Sequence, residues 1–139
     1  MGHPLNAALG DRVTLAGYDV AQPSVKPGGN VDVTLYWHPQ GRLDKSLKVF
    51  THIVAPDGKI VGQRDGIPAD GSRPTTGWRP GEYIADHYTI PIDRNAAPGR
   101  YQIEVGLYDA ATGERLPTKV DGASVPGDQV FLGQVDVAQ

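Results

Sequence analysis

The side chains here that could do chemistry are His3, His38, His52 and His87, the serines Ser24, Ser46, Ser72 and Ser124, and sixteen acids. A metal centre needs about three ligands converging with defined geometry. No two histidines share a close spacing such as His-x-His. His52 and His87 fall in the middle of strand-like segments, where they could be cross-strand neighbours or ordinary face residues. None of the serines lies in a Gly-x-Ser-x-Gly elbow. Asp57, Asp65, Asp70, Asp109, Asp121 and Asp128 sit in turns, where local side-chain to backbone bonding accounts for them. No segment matches an Asp-x-Asp-x-Asp-Gly calcium loop. Gly28-Gly29 precedes a strand rather than a helix, so it offers no phosphate cradle. The residues therefore predict no enzyme, no metal and no cofactor.

The segment that stands apart is 65–82, Asp-Gly-Ile-Pro-Ala-Asp-Gly-Ser-Arg-Pro-Thr-Thr-Gly-Trp-Arg-Pro-Gly-Glu. It has no apolar period and exceeds the usual loop length, and long loops are often functional. Trp78 lies between Arg73 and Arg79, with Tyr83 just beyond. An indole flanked by guanidinium groups can stack on a sugar ring or a partner surface. The same tryptophan can instead fold back as a plug over the end of a core. Arg73, Trp78, Arg79 and Tyr83 are the candidate ligand-binding residues, and the structural role is the favoured reading of Trp78.

Composition narrows the partners. The formal charge is −3, and the thirteen Lys and Arg are scattered, so no basic stripe exists for a phosphate backbone and nucleic acid is excluded. No apolar run approaches the roughly 20 residues of a membrane span. Met1-Gly2-His3-Pro4-Leu5 lacks the basic and apolar regions of a signal peptide, which suggests an excised domain. With no cysteine, neither disulfides nor thiolate zinc can staple the fold.

The positioning elements are strands. Segment 12–20 alternates loosely, and a turn over Gln22-Pro23-Ser24-Val25-Lys26-Pro27-Gly28-Gly29 follows. Val31, Val33, Leu35 and Trp37 then share one face while Asp32, Thr34, Tyr36 and His38 share the other, a clear period of two. Residues 47–55 are apolar on both faces and should be central. Pro56-Asp57-Gly58-Lys59 makes a hairpin to 60–64, with Gly58 left-handed. Strands over 83–92 and 101–108 follow, the first having Ile84, Tyr88 and Ile90 on one face interrupted by Asp86. The last strand, 129–137, changes phase at Gly133, which predicts a bulge. About seven or eight short strands without a helix define an all-β, antiparallel two-sheet sandwich, immunoglobulin-like or jelly-roll-like, with a closed barrel as the alternative. The domain is expected over 9–139, after a flexible segment 1–8.

Several phrases carry a resemblance: Leu9-Gly10-Asp11-Arg12-Val13-Thr14-Leu15-Ala16-Gly17-Tyr18; Lys26-Pro27-Gly28 leading to Leu35-Tyr36-Trp37; and Val49-Phe50-Thr51-His52. Others are Gln63-Arg64-Asp65-Gly66; Pro74-Thr75-Thr76-Gly77-Trp78-Arg79-Pro80-Gly81-Glu82; and Gly106-Leu107-Tyr108-Asp109 with Thr112-Gly113-Glu114-Arg115-Leu116-Pro117. Over about residues 9–137 this ordered set resembles a β-sandwich region of multi-pass membrane proteins from Chloroflexus-type bacteria, themselves similar to dolichyl-phosphate-mannose protein mannosyltransferases. The resemblance implies an extracytoplasmic accessory module whose partner is a glycan or another domain of the same parent. Glycosyl transfer would belong to the membrane portion, and no catalytic residue is implied here. A carbohydrate-binding module using the Trp78 loop is the alternative.

Overall fold

A computed structural model describes residues 2–22 and 24–138. Met1, Gln139 and Pro23 of the expected 22–29 turn lie outside the described residues. The strands are β1 (His3–Leu9), β2 (Val13–Val20), β3 (Ser24–Val25), β4 (Asn30–Pro39), β5 (Leu47–Val54) and β6 (Ile60–Gly66). After a single 3-10 turn (Thr75–Gly77) come β7 (Ile84–Pro91), β8 (Gly99–Asp109), β9 (Thr118–Val120), β10 (Ala123–Ser124) and β11 (Val130–Val137).

They form two sheets, a six-stranded one in the order β10-β9-β1-β2-β4-β7 and a five-stranded one in the order β3-β11-β8-β5-β6. The architecture is a sandwich, not a closed barrel. Every pairing is antiparallel except β3 with β11. Consecutive strands β4 and β5 lie in opposite sheets, as do β6 and β7, and β7 and β8. That alternation is the Greek-key wiring of immunoglobulin-like sandwiches. A further mark of that class is Tyr101 near the start of β8, whose hydroxyl donates to the Ala97 carbonyl four residues back at 2.6 Å.

The alternation in β4 predicts its faces: Val31, Val33, Leu35 and Trp37 are fully buried. They meet Val49, Ile53, Ile103, Val105 and Leu107 from the second sheet in one inter-sheet core. Strand β5 is internal, paired on both sides by β6 and β8, which explains its two apolar faces. The hairpin at Asp57-Gly58 has Gly58 at φ 87°, with Asp57 accepting from the Lys59 amide. In β11 the register slips between Phe131 and Gly133, so Gly133 does mark a bulge, with φ 145°. Beside it the Leu132 carbonyl accepts from the Tyr18 hydroxyl, a bond that joins the two sheets through the core.

The segment 1–8, expected to be flexible, instead supplies most of β1. This strand is held between β2 and β9, with Ala7 and Leu9 fully buried. Small residues of low strand propensity hide it locally, and pairing on two sides compensates. Likewise β9 and β10 are too short for an apolar period. They form a hairpin on Asp121-Gly122, both at positive φ, the two-residue turn that suits a twisted ribbon.

With its indole fully buried between the sheets, Trp37→Ala should cost about 3–5 kcal/mol in urea unfolding. A near-neutral midpoint would reverse the face assignment of β4.

Candidate functional site

The strand directions bring the 67–83 segment to the same end of the sandwich as the β4–β5 and β1–β2 connections. Its conformation is set by closely spaced polar bonds. Thr75, fully buried, accepts from the Leu47 amide at 3.0 Å and donates to the Lys45 carbonyl at 2.8 Å. Glu82 accepts at 2.7 Å from both the Arg79 amide and the Arg73 guanidinium. The Gly81 amide donates to Pro39 at 2.8 Å, tying the segment to the end of β4. The Arg79 amide and then the Arg73 guanidinium hold the Glu82 carboxyl below the usual range.

This clamp drives Trp78 inward. The indole is fully buried, lies 6.3 Å from the Trp37 ring, and donates from Nε1 to the Arg73 carbonyl at 2.9 Å. Trp78 is therefore a plug at the end of the core, and the ligand-stacking role considered for it is corrected. Of the four candidate residues, Arg73 is committed to Glu82, Trp78 is inside, and Arg79 and Tyr83 are exposed. Nothing brings the four together on one accessible surface.

Asp86, an interruption in the apolar face of β7, turns out to be the hub of this region. It points inward and is fully buried. One oxygen accepts from Trp37 Nε1 at 3.0 Å and the other from the Ala69 amide at 2.8 Å. Ala69 and Asp70 have φ of 56° and 54°, a left-handed pair that costs on the order of 1–3 kcal/mol per residue unless the surroundings enforce it. Burial pushes the Asp86 carboxyl up, against the lowering influence of those hydrogen bonds. The Tyr88 hydroxyl lies near enough to bias the same proton, yet it is buried without a hydrogen bond of good geometry.

One accessible polar surface is the outer face of the six-stranded sheet. Tyr83 is 60% exposed and stacks on His38, with ring centroids 4.1 Å apart and 15° between planes. His38 is fixed from behind by its Nδ1, 3.0 Å from the Glu82 carbonyl. On the next row Tyr36 donates to Asp19 at 2.6 Å, and farther along the face, six residues and roughly 20 Å down β4 from His38, Asp32 accepts from Gln22 and Thr89 at 2.8 Å each. Those donors hold the Asp19 and Asp32 carboxyls below the usual range. His87 Nε2 lies 3.3 Å from Asp32. Sequence reasoning missed His38 as Tyr83's partner, although the antiparallel pairing of Trp37 with Ile84 places the two next to each other.

The expectation that His52 and His87 could be cross-strand neighbours fails: they lie on β5 and β7, in opposite sheets. Among the described residues, no three His, Asp or Glu side chains converge as metal ligands would. On the second sheet's outer face Phe50 is almost fully covered, with the Arg115 guanidinium 4.1 Å above its ring. No described helix is long and apolar enough to cross a membrane.

No protein-family model matches this chain, and no curated protein matches it. Among solved structures it is similar to the C-terminal domain of Wzt, at 14% identity and a TM-score of 0.61, over 97% of this chain and 86% of that one. It is also similar to a Niemann-Pick type C2 protein from the Japanese carpenter ant, at 9% identity and a TM-score of 0.53, over 96% and 98% of the two chains. At these identities the likeness establishes the class, an immunoglobulin-like β-sandwich.

The buried carboxylate gives a signed pH dependence. With its folded pKa raised, Asp86 binds more protons in the folded state between the ordinary carboxylate range and the raised value. Its contribution to stability is therefore full below that window and declines as pH rises through it. Glu82, Asp19 and Asp32 act oppositely, since their lowered values remove stability as pH falls below the ordinary carboxylate range. Thermal stability should be highest on the acidic side of neutrality, and Asp86→Asn should abolish that rise while costing about 1–3 kcal/mol for one orphaned buried donor. A variant with the wild-type pH profile would remove Asp86 from this role.

Proposed function

We propose that this domain is a non-catalytic binding module whose working surface is the outer face of the six-stranded sheet, and that its ligand is a glycan. The observation that carries the reading is the exposed Tyr83 ring stacked flat on His38, on a sheet face that carries pre-oriented polar groups farther along it. A sugar offers an apolar C–H face bordered by hydroxyls. An exposed aromatic ring suits the first and fixed carboxylates, amides and hydroxyls suit the second. Here Asp19, Asp32, Gln22 and Thr89 are already held in place by one another and by Tyr36. Binding to such a surface loses little side-chain entropy.

The shared sequence phrases support a wider setting, an accessory domain on the extracytoplasmic side of a membrane glycosyltransferase-like protein. In that setting the sandwich holds an acceptor or product glycan, and the membrane portion performs the transfer. The Trp78 version of the binding site is replaced by the Tyr83 face, because an indole inside the core cannot stack on a ligand.

A glycan array followed by calorimetric titration of the best oligosaccharide tests the reading. Tyr83→Ala should weaken binding at least tenfold with unfolding unchanged, since the ring is mostly exposed and forms no part of the core. An array without a binder, or binding indifferent to Tyr83→Ala, would sink the proposed face.

A further inference from the structure

The two sheets meet along one side at their edge strands, β6 and β7. At one end this seam is closed: Gly62 bridges to Ile92, and the Asp93 amide donates to the Val61 carbonyl at 2.8 Å. Only glycine permits that approach, because a Cβ at position 62 would lie 2.6 Å from the Pro91 carbonyl oxygen. Farther along, the seam contains a slot of about 170 Å³ lined by Arg64, Asp70, His87, Tyr88 and Thr89.

Two independent features mark this slot as built rather than incidental. Tyr88, 5% exposed, is its buried wall, and among the described residues its hydroxyl is the one buried side-chain polar atom without a hydrogen bond of good geometry, with the Asp86 carboxyl close by. A buried hydroxyl without a well-formed hydrogen bond is costly, which is why such groups normally have one. Asp70, the opposite wall, is presented by the left-handed pair Ala69-Asp70, which the Asp86 carboxylate pins through the Ala69 amide. Strain of this kind concentrates at binding sites.

We infer that the slot binds a single ring of a neutral sugar, deepening the glycan reading on which its ligand class rests. The slot offers donors and acceptors together. The Arg64 guanidinium supplies N–H groups, while Asp70, 3.9 Å from Arg64, and the His87 ring nitrogen that does not face Asp32 accept. Tyr88 can do either. Vicinal hydroxyls, each a donor and an acceptor, match that set. An anion is disfavoured, because Asp32 and Asp70 stand close by and offset the single arginine. The volume holds roughly five or six waters at about 30 Å³ each. It is well short of the roughly 300 Å³ at which drug-sized pockets begin, so one ring enters and a chain does not. His87 and Thr89 also belong to the outer face that carries Tyr83, four residues and roughly 13 Å along β7 from His87. A glycan stacked on Tyr83 thus has a path to the slot.

The test is a titration of the ¹⁵N-labelled domain with methyl α-mannoside, methyl β-glucoside, methyl β-galactoside and inorganic phosphate, followed by amide shifts. Saturable shifts centred on Arg64, Asp70 and His87 are expected for at least one glycoside and not for phosphate. Tyr88→Phe, which keeps the ring, and Asp70→Asn, which tolerates the left-handed backbone, should each weaken that glycoside about tenfold. The monosaccharide shifts at the slot are read apart from the oligosaccharide titration of Tyr83→Ala, so the slot and the stacking face can fail separately. Loss of oligosaccharide binding in Tyr83→Ala with no glycoside shift at the slot would retain the face and overturn the slot. Phosphate in place of the glycosides would overturn the ligand class. Tyr88→Phe that only raises thermal stability, with glycoside shifts absent or unaltered, would make the hydroxyl's partner a water and the inference wrong.

Discussion

A carboxylate with no access to solvent sits where the two sheets and the long loop meet. Asp86 accepts from the indole of Trp37 on the adjacent strand and from the amide of Ala69 in the loop, one bond per oxygen. Hydrogen bonds are strengthened in a low-dielectric site, and losing one partner strands a buried donor. The indole orientation of Trp37 sets the surface against which Trp78 rests, 6.3 Å away. The Ala69 bond holds the left-handed turn that starts the loop. Core, plug and loop are in this way coupled through one side chain, and the proposed slot is walled by residues on both sides of it.

This coupling explains the phrase Pro74-Thr75-Thr76-Gly77-Trp78-Arg79-Pro80-Gly81-Glu82 in structural terms. Thr75 anchors the turn to the start of β5, Trp78 fills the end of the core, Gly81 reaches the end of β4, and Glu82 clamps Arg73 and the Arg79 amide. Nearly every distinctive residue in it has an internal partner. A long, aperiodic segment with a tryptophan between arginines admits a ligand-site reading because exposed loops carry function so often, although the plug is the favoured role of Trp78 from the sequence as well. Here its composition serves closure, and the accessible aromatic is the residue just after it, Tyr83.

The wiring puts the proposed binding surface on strand faces and edges rather than on loop tips. β7 is an edge strand whose outward residues, Ala85, His87 and Thr89, alternate with the buried Ile84, Asp86, Tyr88 and Ile90. One side of the strand thus builds the core and the hub while the other, with Tyr83 just before it, builds the proposed binding surface. Unpaired strand edges are liabilities unless covered or interrupted. The Gly62 bridge to Ile92 covers part of this edge and leaves the remainder as the slot.

How much of this could be read from the chain differs by element, for physical reasons. The period of two in 31–38, the apolar run 47–55, the Asp57-Gly58 turn and the slip at Gly133 are local signals, and each determined a strand, its inward face, a hairpin or a bulge. The alternation Leu5, Ala7, Leu9 was present too, but small residues make it weak, and only pairing with β2 and β9 made β1 a strand. Asp86 read as a blemish in an apolar face, because a buried carboxylate is sensible only once its donors, 17 and 49 residues away, are beside it. Tyr83 was named from its neighbours in sequence, yet its role comes from His38, which sheet pairing brings to 4.1 Å. By itself, then, the sequence determined the all-β class and the side that the strongly alternating strands bury, since these follow from residue-by-residue alternation. Only the tertiary structure decided that Trp78 is a plug, that Asp86 is the hub, and that the open surface lies on β4 and β7, because each depends on groups brought together across the sheet.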